Sequence, residues 1–174
     1  MNETIKTIHQ RQSCRNYQAV KIPLDILSCI LDAGLQAPSS MNRQQCLITA
    51  VTNQTILKQL TKEVTVALNK EDSYSCFYNA NTVIIVSGPK EYNALFTDGS
   101  CILQNIFLAA TCYQLGSCWV NQLHGLEDTP AIRKLLTACK IPNDHHICGC
   151  AILGYANEEI VKKEKYSHRI QCIE

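Results

Sequence analysis

The sequence predicts one α+β domain, because helical and strand-like segments alternate along a chain without a linker or an internal repeat. Residues 82–86 form a continuous β-branched run that stops at Gly88 and Pro89, which predicts a strand buried on both faces. Elsewhere apolar residues recur at helical spacing, as packed amphipathic helices require. At 174 residues the chain has the length of a single domain, 1–174, with a sizeable core and no need of disulfides.

Spacing and stop signals place the helices. Ile5 and Ile8 share one face of the first helix. Pro23 opens the second helix, and Pro38 ends it because the residue before a proline is pushed out of the α region. Gly116 is the C-terminal signal of the longest helix. Helices are therefore predicted at residues 2–10, 23–36, 54–69, 92–115 and 128–139.

The other ordered segments are strand-like. In the short apolar strand that follows Gly116, Trp119 is expected to be a core anchor rather than a platform for substrate. After residue 158 the chain is charged, and it ends in the alternating segment 169–173, which has no obvious partner strand in its own chain. Strands are predicted at residues 46–51, 82–86, 117–122 and 148–155.

Composition excludes several classes of partner. A net charge of +1 gives no general attraction to nucleic acid or to an anionic membrane surface. No apolar run approaches the ~18 residues of a membrane span, and the start of the chain lacks the apolar core of a secretory signal, so a cytoplasmic location is expected. The 11 cysteines lie mostly in apolar segments and are expected to be reduced, buried thiols.

Two polar stretches carry the functional signal. Arg11, Ser13 and Arg15 follow the first helix and form a cradle suited to a phosphate, which guanidinium groups and hydroxyls bind well. Residues 37–45 follow the second helix and offer amides and hydroxyls to the edge of a planar heterocycle. Together they predict a phosphorylated, ring-bearing cofactor. The alternatives are a solvated basic turn and an ordinary polar turn after a helix.

A second possible site is the run His-His-Ile-Cys-Gly-Cys at 145–150. Its His145, His146, Cys148 and Cys150 are ligand types that suit zinc, but the run lacks a C-x2-C knuckle. The two cysteines are two apart on a predicted strand and are expected to share one face, which makes buried thiols the default. The chain has no G-x-G-x-x-G or Walker loop, so a cofactor would be held without a Rossmann-type phosphate grip.

Taken in order, several segments resemble motifs of the nitroreductase family of FMN-dependent oxidoreductases. Residues 11–17, Arg-Gln-Ser-Cys-Arg-Asn-Tyr, resemble R-R-S-x-R-x-F/Y, and residues 37–44 resemble A-P-S-S-x-N-x-Q. The resemblance covers nearly the whole chain, and it implies a central, mostly antiparallel sheet flanked by helices. It also implies that the tail, 158–174, is exchanged across a homodimer. Further segments similar to the family are 77–86, 98–110, 115–120 and 153–155.

The same resemblance implies an FMN site at the interface of the two subunits. The basic segment would hold the phosphate and the pyrimidine side, the turn after the third strand would offer backbone N–H groups to the flavin N4/N5 edge, and the tail would add phosphate contacts. The polar loop would come from the other subunit. The implied cofactor-binding residues are Arg11, Gln12, Ser13 and Arg15, then Pro38, Ser39, Ser40 and Asn42, then Gln122, Leu123 and His124, and finally Lys165 and Arg169.

The chain departs from the family pattern at four positions. Gln12 replaces the second arginine, Gln45 replaces a proline, Cys46 takes a common aromatic position, and Asn81 replaces the proline of A-P. None of these changes removes an implied phosphate ligand. They affect the entry of the strands and the substrate pocket.

The implied activity is hydride transfer from NADH or NADPH, through flavin N5, to an electron-poor acceptor such as a nitroaromatic or a quinone, in a ping-pong mechanism. No catalytic side chain is assigned, because the flavin carries the redox chemistry. Flavin destruction, dehalogenation and azoline oxidation are other reactions of similar proteins and stay open. A rival of a different class is a non-catalytic metal- or thiol-binding protein that uses the run 145–150, which a colourless, zinc-containing sample would indicate.

Overall fold

The structure is a computed structural model that describes residues 1–173, with Ser167 described by its backbone alone. Glu174, the last residue of the predicted tail, lies outside the described residues. Short 3-10 turns occur at Ser40–Asn42 and Ser167–Arg169. The α-helices are α1 (Glu3–Gln10), α2 (Leu24–Leu35), α3 (Gln54–Ala67), α4 (Leu95–Cys112) and α5 (Pro130–Ala138). The β-strands are β1 (Leu47–Val51), β2 (Thr82–Pro89), β3 (Gly116–Val120) and β4 (His145–Gly154).

The four strands form one sheet in the order β1-β2-β4-β3. Every neighbouring pair is antiparallel. β4 pairs with β2 on one edge, where Ala151 opposes Ile84, and with β3 on the other, where Ala151 opposes Trp119. The predicted α+β class and the mostly antiparallel sheet are therefore confirmed.

Helices cover both faces of the sheet, because successive side chains of a strand point to opposite sides. In β2, Val83 and Ile85 belong to the core that α3 and α5 complete. Ile84 and Val86 belong to the core that α2 and α4 complete. Residues 82–88 are all buried, as the continuous β-branched run predicts. The sheet is thus the middle of three layers.

Several apolar helix residues face solvent in the single chain instead of its core. Asn2 caps α1 by accepting a hydrogen bond from the Ile5 amide at 3.0 Å, but α1 buries none of its residues. Ile5 and Ile8 are 42% and 46% exposed, and Leu35, the last residue of α2, is 67% exposed. A groove of about 540 Å³ also runs between α1, α2 and α4. None of the helices in residues 1–173 has both the length and the apolar character needed to cross a membrane.

Four predicted boundaries are wrong by three residues: α4 ends at Cys112 instead of 115, β2 continues to Pro89 instead of ending at 86, and two elements start elsewhere than predicted. The longest helix begins at Leu95, not at residue 92, because the chain first makes consecutive turns. The Tyr92 amide donates to the Pro89 carbonyl and the Leu95 amide to the Tyr92 carbonyl, both at 3.0 Å. The last strand begins at His145 rather than at Cys148, because His145 pairs with Pro89 at the far end of β2.

A β-bulge in β4 separates the two cysteines that the sequence analysis placed on one face. The register between β2 and β4 shifts after Val86, and Cys148 has no partner residue on β2. As a result Cys148 packs in the core with α2 and α4, whereas Cys150 packs in the core with α3 and α5. The prediction of a shared face is wrong. Burial raises the pKa of Cys148 to about 11 and also raises that of Cys150, so both remain protonated thiols near neutral pH.

The contact between α4 and the bulge can be tested by adding one methyl group. A Cβ at Gly99 would lie 2.5 Å from Cys148 Sγ. We expect Gly99→Ala to lower the free energy of unfolding by about 1–3 kcal/mol through overpacking, although alanine is the better helix former. Urea unfolding followed by circular dichroism measures the change. Gln104→Ala, at an exposed position of α4, is the matched control and should stay within about 0.5 kcal/mol of the wild type.

A double variant identifies the clash as the cause. Replacing Cys148 by glycine in Gly99→Ala/Cys148→Gly takes away both atoms that the new methyl group would meet within 3.0 Å, Sγ at 2.5 Å and Cβ at 2.8 Å. The loss of stability should therefore be smaller than the sum of the losses in the two single variants. Strict additivity would contradict the packing argument.

Candidate functional site

The basic segment 11–17 runs beside β3 as an extended chain. Ser13 forms a parallel bridge with Ser117, and the amide of Cys14 donates a hydrogen bond of 2.8 Å to the Ser117 carbonyl. Tyr17 makes a second, antiparallel bridge to the chain just after β4. The segment is therefore fixed to the edge of the sheet at two points.

Alternation along this segment brings the predicted phosphate residues together. Gln12 and Cys14 are buried, whereas Ser13 and Arg15 are exposed and Arg11 is half-buried. In extended chain, residues two apart lie on the same side. Arg11, Ser13 and Arg15 therefore share one face, and Gln12 lies on the other.

Tyr78 holds one side of Arg15. The Arg15 guanidinium carbon lies 5.8 Å from the centre of the Tyr78 ring, within the range of a cation–π contact. Tyr78 and Asn79 both have left-handed backbone conformations, with φ of +49° and +57°. The Tyr78 amide donates to the Ser75 carbonyl at 3.1 Å and the Asn79 amide to Ser75 Oγ at 3.2 Å. These bonds stabilise a strained turn, which is a common property of binding sites.

A cavity of about 450 Å³ opens where β3 ends. This volume is in the range of small-molecule and cofactor sites. Three residues predicted to bind a cofactor, Arg15, Gln122 and His124, meet here. The cavity is lined by Arg15, Leu68, Tyr78, Trp119, Val120, Asn121, Gln122 and His124.

Trp119 belongs to the cavity wall, so the prediction that it is a core anchor is wrong. Its side chain is 39% exposed, and the indole lies over Gly149, where a Cβ would come within 2.9 Å of the ring. Phe107 of α4 packs beside it, with ring centres 6.2 Å apart. The strand alternates normally, but Trp119 lies on an edge strand, where a large side chain is only partly covered.

The turn after β3, of which Asn121, Gln122 and His124 line the cavity, leaves two backbone N–H groups without an acceptor among the described residues. The His124 amide donates to the Asn121 carbonyl at 3.0 Å, and the Asn121 amide donates to Gln122 Oε1 at 3.0 Å. The amides of Gln122 and Leu123 have no acceptor among residues 1–173. The side chain of Leu123 is fully buried. Of the three predicted backbone donors, Gln122 and Leu123 are therefore available to a ligand, and the His124 amide is used within the turn.

Two contacts with the start of β4 fix this turn. His124 Nδ1 lies 2.9 Å from the Ile147 carbonyl oxygen. Glu127, which is 2% exposed, places Oε1 2.5 Å from His146 Nδ1. Its other carboxylate oxygen is buried and has no partner among the described residues. The turn is thus clamped against β4 on both sides of Gly125.

The polar loop after α2 lies elsewhere in the single chain. Ser39, Ser40 and Asn42 do not line the cavity beside β3. The loop is held by a buried carboxylate, since the Ser40 amide is 3.1 Å from each Asp98 carboxylate oxygen. Ser39 Oγ accepts from the Gln44 amide at 3.1 Å. Within one chain, therefore, the Pro38–Asn42 loop does not line the cavity that Arg15 of the basic segment lines.

Asp98 and Tyr92 were not assigned as site residues by the sequence analysis. Asp98 is 5% exposed at the start of α4 and also accepts a hydrogen bond of 2.5 Å from the Tyr92 hydroxyl. The signal in the sequence was a single carboxylate in an otherwise apolar helix, which predicts a buried polar partner but not which loop it binds. Tyr78 was likewise missed, since nothing in the sequence places it beside Arg15.

The tail returns to the basic segment of its own chain before it reaches the predicted ligands. Asn16 Nδ2 donates to Glu158 at 3.1 Å, and the Lys163 amide donates to Gln12 Oε1 at 3.4 Å. Lys165 and Arg169 are exposed beyond these contacts. Arg169 ends a 3-10 turn, and residues 170–173 belong to no strand of this chain. Pairing of 169–173 with a second subunit stays a prediction.

The run 145–150 has structural partners. His145 Nδ1 bonds to Ser87 Oγ at 3.1 Å, and His146 bonds to Glu127. Burial lowers the pKa of His145. Cys148 and Cys150 lie on opposite faces of the sheet, as described above. Within residues 1–173 no three His, Cys, Asp or Glu side chains are grouped as metal ligands.

Comparison with known proteins identifies the family. The model of the Nitroreductase family matches residues 8–155. This chain belongs to the nitroreductase family. The match includes β1–β4, all of the basic segment and the turn after β3.

Individual relatives agree with this assignment. The chain is 35% identical to a nitroreductase with bound FMN from Bacteroides fragilis NCTC 9343, with a TM-score of 0.95 and full coverage of both chains. It is 26% identical to a nitroreductase with bound FMN from Desulfitobacterium hafniense DCB-2, with a TM-score of 0.90 and full coverage of both. A protein of Archaeoglobus fulgidus, provisionally named NADH dehydrogenase/NAD(P)H nitroreductase, is 30% identical over 91% of this chain and 88% of its own length.

The predicted resemblance and the nitroreductase fold are confirmed. The chain is an oxidoreductase of this family, and the rival interpretation as a non-catalytic metal- or thiol-binding protein loses its support.

Because of the Asp98–Tyr92 hydrogen bond, the stability of this nitroreductase is expected to fall as the pH becomes alkaline. The hydrogen bond to the carboxylate, together with burial, raises the pKa of Tyr92 to about 12. A folded pKa above the ordinary value of ~10 means that the bond stabilises fully below about pH 10 and is lost as the pH rises through 12. Between these values, the free energy of unfolding should fall more steeply for the wild type than for Tyr92→Phe. Urea unfolding at each pH measures both slopes. Tyr166→Phe, in the exposed tail, should follow the wild type, and parallel curves for wild type and Tyr92→Phe would contradict the assignment.

Proposed function

We propose that this chain is an FMN-dependent oxidoreductase that transfers hydride from NADH or NADPH to an electron-poor acceptor such as a quinone or a nitroaromatic. The observation that carries the proposal is one surface with three complementary parts. A row of cations and a hydroxyl continues into an aromatic-walled cavity, and free backbone amides lie at the end of that cavity. Each part suits one part of FMN.

The basic segment suits the phosphate. Arg11, Ser13 and Arg15 lie on the same face of an extended chain fixed to the sheet, so little reorganisation is needed to bind an anion. Guanidinium groups bind phosphate through paired, charge-assisted hydrogen bonds. Gln12, on the buried face, supports the tail through Lys163 and is a structural neighbour of this row.

The cavity suits the ring system. Trp119 and Tyr78 supply flat apolar surface, and the unpartnered amides of Gln122 and Leu123 supply donors for the N4/N5 edge. Arg15, beside Tyr78, supplies positive charge on the pyrimidine side, where the ring gains negative charge on reduction. Preorganised donors and charges of this kind favour reduction, because they are in place before charge develops.

The polar loop and the tail complete the site from a second subunit. Ser40 and its neighbours are held rigidly by Asp98 but lie outside the cavity of their own chain. Exposed apolar residues on α1 and α2, such as Ile5 and Leu35, give a surface of the type that covers itself in a homodimer. In that dimer the flavin of one subunit would be reached by three parts of the other subunit: the Pro38–Asn42 loop, Lys165 and Arg169.

When bound, FMN supplies the hydride chemistry at N5. This chain orients the ring, holds its phosphate and leaves the outer side of the cavity open to substrate. With FMN in a cavity of this size, NAD(P)H and the acceptor are expected to occupy the remaining space in turn, which is the basis of the proposed ping-pong order.

The phosphate assignment is tested by Arg11→Ala. Loss of one charge-assisted hydrogen bond should weaken FMN binding by about 1.5–3 kcal/mol, which is roughly 10- to 150-fold in Kd. Equilibrium dialysis with absorbance detection of the yellow cofactor measures the Kd. Lys62→Ala removes an exposed cation of α3 and should leave the Kd unchanged. An unaltered Kd in Arg11→Ala would rule out this residue as a phosphate ligand.

The shared site is tested by complementation between two defective subunits. Arg11→Glu and Ser40→Trp homodimers should each bind little FMN, because every site in them is damaged. A heterodimer of the two, purified through two different affinity tags, has one site with both residues intact. We expect one FMN per heterodimer. If Ser40→Trp alone binds FMN normally, or if light scattering finds only monomers, the two-subunit site is wrong.

A further inference from the structure

His124 places a fixed imidazole in the wall of the cavity beside β3. The ring lines the same cavity as Arg15, Tyr78 and Trp119. The Phe96 ring meets it edge-on, with ring centres 5.2 Å apart and planes at 90°. Its Nδ1 lies 2.9 Å from the Ile147 carbonyl oxygen. The side chain is therefore held from two directions, although it is exposed.

This geometry fixes which ring nitrogen carries a proton. A carbonyl oxygen can only accept a hydrogen bond, so Nδ1 of His124 is the donor to Ile147. Nε2 is then the nitrogen at which the ring gains or loses a proton. Among the described residues Nε2 has no hydrogen-bonding partner, so it is available to a molecule in the cavity.

The other charged or titratable groups of the cavity are less suited to proton transfer. A guanidinium group donates hydrogen bonds but does not transfer protons, so Arg15 is not suited to the role of acid. Tyr78 lies under the Arg15 guanidinium. Imidazole is the side chain whose ordinary titration falls near neutral pH, which makes it the commonest general acid in enzymes.

We propose that His124 is a catalytic residue, the general acid that protonates the acceptor during its reduction; this rests on the proposed function. Hydride transfer to one oxygen of a quinone forms an O–H bond there and leaves negative charge on the second oxygen. The Nε2–H bond of His124, in the form protonated on both ring nitrogens, then breaks as an O–H bond forms on that second oxygen. Quinone, hydride and one proton give the hydroquinone, and neutral His124 regains its proton from water. NAD(P)H supplies the hydride through the cofactor.

The acid role can be separated from cofactor binding, because the proposed donors to FMN are the backbone amides of Gln122 and Leu123 and not the His124 imidazole. His124→Gln keeps the backbone and a polar side chain of similar reach, but an amide cannot deliver a proton. His9→Gln, on the exposed surface of α1, is the matched control.

Two acceptors separate proton transfer from electron transfer. In rapid-mixing experiments, prereduced His124→Gln enzyme should reduce benzoquinone about 100-fold or more slowly than the wild type. Ferricyanide takes electrons without a proton, and its reduction should proceed at the wild-type rate in both. Equal benzoquinone rates in His124→Gln and wild type overturn the proposal. Equal slowing with both acceptors also overturns it, since that indicates a general defect.

Binding and spectroscopy give readouts that do not depend on turnover. Both enzymes are compared at saturating FMN, because the His124 side chain also fixes the turn beside the cofactor and its replacement is expected to raise the Kd; if wild type itself binds no FMN, the proposed function fails, and the acid role fails with it. In protein labelled with 15N-histidine, the ring signals absent from His124→Gln should show the Nδ1–H form at high pH. An Nε2–H form there would overturn the assignment of the acid.

Discussion

The pairing of β4 along both of its edges is the constraint on which the rest of the molecule depends. It makes β3 an edge strand, so the free side of β3 can accept the basic segment through Ser13 and Cys14. Its first residues, by way of Ile147 and His146, hold the turn after β3. Its glycine at 149 gives the Trp119 ring room to lie flat on the sheet. One strand therefore positions the cation row, the aromatic wall and the backbone donors relative to one another.

Sequence reasoning located the elements well because their signals are local. The β-branched run of β2 and the proline and glycine stops needed no knowledge of distant contacts. The start of α4 was wrong because apolar spacing continues smoothly through the turns before Leu95. The start of β4 was wrong because two histidines resemble a loop until their pairing with β2 is known.

The errors within the site have tertiary causes. A β-bulge changes the face of the sheet to which the following side chains point, and the residues around Cys148 do not indicate in the sequence that a bulge occurs there. Trp119 was assigned to the core by its hydrophobicity, but only strand order reveals that it lies at an edge. The cation row was predicted from its alternating cations and hydroxyl, and the resemblance added to that prediction; alternating burial along the extended segment puts all three members on one face. The bond from Asp98 to Ser40 spans 58 positions, and no local pattern specifies such a pair.

Buried carboxylates fix two of the loops near the proposed site. Asp98 accepts hydrogen bonds from a backbone amide and a phenol, and Glu127 is bonded to an imidazole through one of its two oxygens, whereas its buried Oε2 has no partner among the described residues. Each replaces apolar packing with directional bonds that define a loop position. The loops therefore retain a set shape while their outer faces stay polar and accessible.

The exposure of Trp119 has a practical consequence. It is the sole tryptophan of the chain, and it stands in the wall of the cavity. A yellow chromophore seated there would lie within energy-transfer distance of the indole, and the ultraviolet emission of the protein would dim as the cavity fills. The intrinsic tryptophan fluorescence of the protein would therefore report how much of the cavity is filled, without an added label.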